Sequence, residues 1–197
     1  MGIKLDDKGR IIVNDKFETS FKNVYAIGDC IPGPMLAHKA EEEGIACVEG
    51  ISGLSTHLNY NSIPNVIYTH PEVAWAGISE EEAKNLSLKY KVGKFPLSSN
   101  GRSRAVGEID GFAKMITDAK TDKLLGAHFI SPCAGEVINQ ISMAIEYGAS
   151  AEDIARVCFA HPVLLFPPYR LLLSVLKKPA RSHILGKLLI TFKLIHK

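Results

Sequence analysis

The strongest constraint on this chain is a series of short apolar runs between residues 66 and 130, each closed by turn-forming residues. Val66-Ile67-Tyr68-Thr69 and Val73-Ala74-Trp75-Ala76 flank His70-Pro71-Glu72, and β-type runs follow at Tyr90 to Phe95, Phe112 to Thr117 and Leu124 to Ile130. Runs of this length and composition, the last two joined through Asp118 to Asp122, predict an antiparallel sheet. Helical spacing then takes over. Val137, Ile141, Ala144 and Ile145 form one apolar stripe, and Gly148 supplies a left-handed stop. Ser79-x-x-Glu82 predicts a capping box that opens a short helix, and Ser150, followed by Glu152 and Asp153, caps another. The order of elements predicts the α+β class.

Upstream, Ile11-Ile12-Val13 and Val24-Tyr25-Ala26-Ile27 read as strands, and the second stops at Gly28-Asp29. A helix is expected from near Met35, with Ala37, Ala40, Gly44, Val48 and Ile51 on its buried face and Glu41, Glu42 and Glu43 on its exposed side. Gly28-Asp29 then sits between a strand and a helix start. Backbone without a side chain can approach a ligand there, the carboxylate accepts hydroxyl hydrogen bonds, and the helix N–H groups present a positive dipole end. The combination suits a ligand with a sugar-like chain and an electron-rich ring.

Composition excludes several classes. Of 197 residues, 46% are hydrophobic and 22% charged, which is too apolar for a disordered chain and too interrupted by charge for a membrane protein. The stretch from Val157 to Tyr169 carries no charge, but its 13 residues include three prolines, so no membrane span is expected. Charge divides the chain unevenly. Residues 1–162 hold 16 of the 23 Lys/Arg and all 21 Asp/Glu, a net −5, whereas 163–197 hold the other seven bases and no acid, a net +7. Pro167, Pro168, Pro179 and Gly186 interrupt any long amphipathic face in that basic segment, which argues against a lipid or nucleic-acid partner. Cys30, Cys47, Cys133 and Cys158 form neither a C-x-x-C pair nor a zinc-like set, so they read as reduced structural thiols and no metal site is expected.

Several segments, in order, resemble the dihydrolipoamide dehydrogenase family of flavoprotein disulfide oxidoreductases. They are Tyr25-Ala26-Ile27-Gly28-Asp29 with Gly33-Pro34-Met35-Leu36-Ala37-His38-Lys39-Ala40, then Val66 to Trp75, Tyr90 to Pro96, Thr121 to His128 and Glu152 to Cys158. The resemblance covers about residues 1–162. It implies the end of an FAD-binding region over 1–60 and an interface domain, an antiparallel sheet flanked by helices, over 61–162. A divergent basic, Leu-rich tail occupies 163–197.

The resemblance also implies roles. Asp29 would hold the ribityl chain of FAD, and the backbone at Met35, Leu36 and Ala37 would face the flavin pyrimidine edge. His161 would be the acid–base histidine that one subunit of a homodimer offers to the redox disulfide of the other. Imidazole titrates in the range this requires, because only a thiolate attacks or leaves well. The family oxidises dihydrolipoamide and passes electrons through the disulfide and FAD to NAD⁺. It works with 2-oxoacid dehydrogenase complexes in the mitochondrial matrix. A glutathione-reductase-like flavoprotein and a non-catalytic dimerisation module are the alternative readings. His70 before Pro71, His38 and His128 are read as structural or interface residues, and Arg102 with Arg104 as a solvated loop.

The chain departs from the family pattern in three respects. Neither G-x-G-x-x-G nor C-x4-C occurs in it, so a C-terminal portion of such an enzyme, inactive alone, is expected. The family's glutamate five residues after the histidine is replaced by Phe166, which predicts a weaker base. From Val163 the similarity ends where the acids vanish, as a change of reading frame would produce.

Overall fold

Alternation of apolar residues after Pro64 is realised as a five-stranded sheet in the computed structural model, which describes residues 2–164. The chain divides into a unit ending at Ile63 and a unit beginning at Pro64.

The first unit is built around helix α1, Ala37–Ile51. The two expected strands before it are not regular. Leu5 bridges Ile11 and Glu18 bridges Tyr25, each as an isolated pair, and Phe17 and Asn23 take positive φ between them. One bridge per run is too little pairing for a ladder, and single left-handed residues redirect the chain. Helix α1 starts two residues later than expected, after Leu36 in an extended conformation. Its buried side also differs. Lys39, Glu43, Ala46 and Cys47 are buried, whereas Val48 and Ile51 are 63% and 57% exposed.

In the second unit the strands are β1 (Asn65–Ile67), β2 (Glu72–Gly77), β3 (Tyr90–Pro96), β4 (Phe112–Asp118) and β5 (Leu124–Ser131). Between them lie the short helices α2 (Glu80–Asn85) and α3 (Gly101–Val106), and α4 (Ala134–Glu146) and α5 (Ala151–Arg156) follow. The spatial order is β1-β2-β5-β4-β3, antiparallel throughout. Register places Ala74, Phe129, Ala113 and Phe95 in one row and Trp75, His128, Lys114 and Lys94 in the next. Because side chains alternate across a sheet, the first row lies on the core face and the second on the other. Against the core face α4 buries Ala134, Val137, Ile138, Ile141 and Ile145. Each large aliphatic side chain so buried contributes roughly 1.5–3 kcal/mol.

Local chemistry sets the ends of these elements. The Asp118 carboxylate accepts from the Lys120 and Thr121 N–H groups and the Thr121 hydroxyl, closing the β4–β5 turn. The expected capping box forms at Ser79 with Glu82, and the expected cap at Ser150 turns out to be a capping box too, closed by Asp153. Gly148, at φ 68°, ends α4: its N–H donates to Ile145 and that of Ala149 to Ala144, a Schellman pattern. The stretch carrying Arg102 and Arg104 is not a loop but α3, because Asn100 accepts from the Arg102 and Ser103 N–H groups and caps it.

Candidate functional site

Gly28 and Asp29 open a single 3-10 turn, Gly28–Cys30. Gly28 is buried at φ +73°, and a Cβ there would lie 3.1 Å from the Ala40 Cβ. A side chain at this position would meet both a left-handed backbone and a helix already in contact, so glycine is required. Asp29, the next residue, is exposed.

Both backbone groups of Gly28 are held by α1. Its N–H donates to Glu43 Oε2 at 2.7 Å, and its carbonyl accepts from Lys39 Nζ at 3.0 Å. Lys39 and Glu43 lie one turn apart and pair at 2.9 Å, each with a side chain 0% exposed. The Tyr60 hydroxyl donates to Glu43 Oε1 at 2.7 Å. Burial first, then the bond to Glu43 and its negative charge, push the Tyr60 phenol above its usual range. Gly33 leaves room for the lysine stem, since a Cβ there would lie 3.0 Å from Lys39 Cε.

This network was not legible in the sequence. Glu43 ends a run of three glutamates that reads as solvated, and Lys39 follows a histidine on a polar helix start. The usable signal was the i,i+4 spacing of Lys39 and Glu43 beside a glycine-rich turn.

Met35 is 76% exposed, Leu36 is the residue before α1 and Ala37 its first residue, also exposed. Leu36 provides no side-chain cap. Gly28, the residue before the exposed Asp29, is thus bonded to the first two turns of α1. A hydroxylated chain and a ring edge that accepts N–H hydrogen bonds fit those donors and acceptors.

His161 lies in the second unit, beyond α5, and is exposed. The Ala151 N–H donates to the Asp122 carbonyl and that of Glu152 to Asp122 Oδ2, tying α5 to the β4–β5 hairpin. After the histidine, the Val163 carbonyl accepts from Asn100 Nδ2 at 3.4 Å. The segment is therefore anchored on both sides of His161. Between the sheet, α4 and α5 runs an apolar cleft of about 410 Å³ bordered by Met115, Ile141, Ile154, Val157 and Phe159. Phe166, expected in place of a glutamate, lies outside the described residues, as do all residues from 165 onward.

His70 is exposed, with Nε2 3.5 Å from Glu108 Oε2. His128 is half-buried within β5. All four cysteines are free thiols, and burial raises the pKa of Cys47 and Cys133. Among the described residues no helix is long and apolar enough to cross a membrane, and no cluster of His, Cys, Asp and Glu could hold a metal.

Comparison with known proteins places this geometry. The dimerisation domain of the pyridine nucleotide-disulphide oxidoreductases matches residues 63–165, and the pyridine nucleotide-disulphide oxidoreductase domain matches residues 1–44. The chain belongs to this family. Among relatives of this pyridine nucleotide-disulphide oxidoreductase chain, the mitochondrial dihydrolipoyl dehydrogenase of Sus scrofa is 58% identical and that of Homo sapiens 57%, each over 164 residues. The match covers 83% of this chain and 32% of each relative, so the chain spans about a third of their length. LpdA from Mycobacterium tuberculosis shares the fold, with a TM-score of 0.80 at 22% identity over 91% of this chain and 39% of that one. RclA, an HOCl-induced flavoprotein disulfide reductase from Escherichia coli, shares it with a TM-score of 0.78 at 23% identity, over 86% and 40%.

Proposed function

We propose that this chain supplies the flavin-facing turn and the dimer-interface domain of a dihydrolipoyl dehydrogenase. The observation that carries the reading is the bonding of Gly28, the residue before the exposed Asp29, to the first two turns of α1, whose N-cap residue Leu36 provides no side-chain cap. In this reading Asp29 accepts hydrogen bonds from ribityl hydroxyls of FAD, and the backbone at Met35, Leu36 and Ala37 meets the pyrimidine edge. Bound FAD supplies two-electron redox chemistry between a dithiol and NAD⁺. His161 takes a proton from a thiol of dihydrolipoamide and returns one to the leaving thiolate of the redox disulfide, keeping the attacking sulfur ionised at neutral pH. Its exposure suits delivery to a partner subunit's disulfide. The identity of 57–58% to dihydrolipoyl dehydrogenases supports this substrate over glutathione.

The parts are divided as the sequence suggests: residues 1–60 serve the flavin, 61–162 form the subunit interface of a homodimer, and 163–197 are a separate tail. The same likeness to mitochondrial enzymes supports, as part of this proposal, association with 2-oxoacid dehydrogenase complexes in the mitochondrial matrix. The 197 residues contain no Cys-x4-Cys pair, so the chain alone does not turn over dihydrolipoamide. Titrating it into FAD tests the flavin assignment. Flavin fluorescence should be quenched on binding, with affinity about tenfold lower for Asp29→Asn, the effect of one hydrogen bond to a charged group. Equal binding by both proteins would refute the role of Asp29.

A further inference from the structure

We infer that Lys39 and Glu43 are positioning residues for Asp29, acting through Gly28, and that Tyr60 supports them; the inference rests on the flavin reading of that turn. A fully buried ion pair is an expensive way to stabilise a fold, since apolar residues of similar volume often serve as well or better. What such a pair provides and apolar contact does not is direction. Here that direction converges on one residue. Glu43 accepts from the Gly28 N–H and Lys39 donates to the Gly28 carbonyl, so both peptide groups flanking the Gly28 Cα are fixed. The second of these peptide groups carries Asp29. Tyr60 bonds Glu43 Oε1, the oxygen that also faces Lys39, leaving Oε2 for Gly28. The exposed carboxylate of Asp29 is thus aimed by groups that never touch a ligand at that surface.

Two measurements on the full chain test this. In the first, hydrogen exchange of the Gly28 amide is compared in unsubstituted protein, Glu43→Gln and Tyr60→Phe, with the Ala26 amide, which donates to Phe17, reporting on the fold of the unit. Gly28 exchange should quicken about tenfold or more in Glu43→Gln and less in Tyr60→Phe, with Ala26 unchanged. Where Glu43→Gln unfolds the unit, Tyr60→Phe, which removes only a hydroxyl, decides the outcome. In the second, FAD affinity is read by flavin fluorescence for Glu43→Gln, Asp29→Asn and the double variant. If Glu43 acts through Asp29, the double variant binds FAD no more weakly than Asp29→Asn alone.

Losses that multiply in the double variant, or a Gly28 amide indifferent to both substitutions, would overturn the inference while FAD binding left the flavin reading standing. No FAD binding by the unsubstituted chain, with Gly28 exchange still governed by Glu43, would instead overturn the flavin reading and with it the role toward Asp29.

Discussion

Lys39 and Glu43 have no exposed side-chain surface, a placement that penalises each ion by several kcal/mol before their attraction and hydrogen bonds offset it. Such a site tolerates little change around it. Gly28→Ala should destabilise the first unit by about 1–2 kcal/mol, because an L-residue at φ +73° is strained and its Cβ would press on Ala40. Chemical denaturation followed through the first unit would show it; an unchanged midpoint would mean the turn can relax. His128 provides a contrasting case in the second unit. Its Nδ1 is buried without a hydrogen-bond partner, and burial first, then the Lys114 charge, lower its pKa below the ordinary 6.5, opposed by Glu82 and Glu80. The unfolded chain therefore takes up a proton as pH falls through about 6.5 while the folded chain does not. Stability is fully present above that pH and declines below it, down to the folded-state value. The melting temperature should fall between pH 7.5 and 5.5, and His128→Gln should make that fall shallower. An identical fall in both proteins would assign the effect to other groups.

Caps act at the level of elements. The Ser150 Oγ accepts the Asp153 N–H at 3.1 Å, and the Asp153 carboxylate bonds back to the Ser150 N–H at 2.8 Å. Ser150→Ala should cost about 1 kcal/mol in the stability of the second unit, seen as a lower denaturation midpoint. It should also quicken exchange at the N–H groups of α5, the helix that precedes His161. The Ser79 capping box, the Ser150 cap and the β4–β5 turn were legible in the sequence because their hydrogen bonds join residues two or three apart. Strand positions at Glu72–Gly77, Tyr90–Pro96 and Leu124–Ser131 were legible through short apolar runs between turns. The run Ile11-Ile12-Val13 has the same composition yet forms no strand, because a strand also needs a lateral partner. The buried face of α1 misled for a related reason: its apolar stripe is half-exposed, and the buried positions are occupied by charges that pair with each other and with Gly28.

For the molecule as a whole, the two family domains fall one in each unit, and each unit carries one exposed candidate group, Asp29 in the first and His161 in the second. Purified alone, the chain should show no NAD⁺ reduction by dihydrolipoamide, and measurable turnover would refute its dependence on a redox cysteine pair supplied elsewhere. Added to an intact dihydrolipoyl dehydrogenase, it should co-purify as a mixed dimer through the interface domain; a strictly separate elution would argue against dimerisation by this chain. The sequence by itself determined the α+β class and the cap and turn chemistry, since these depend on neighbours close along the chain; it marked Asp29 as a candidate by its place before a helix start, whereas His161 is a candidate through the family resemblance alone. Only the tertiary structure decided that Glu43 is buried, that Lys39 and Glu43 grip a residue 11 and 15 positions away, and that Asn100 reaches the carbonyl of Val163, 63 residues on. Burial and long-range hydrogen bonding arise from packing of distant segments, and no local pattern of residue types encodes which partner a buried charge will meet.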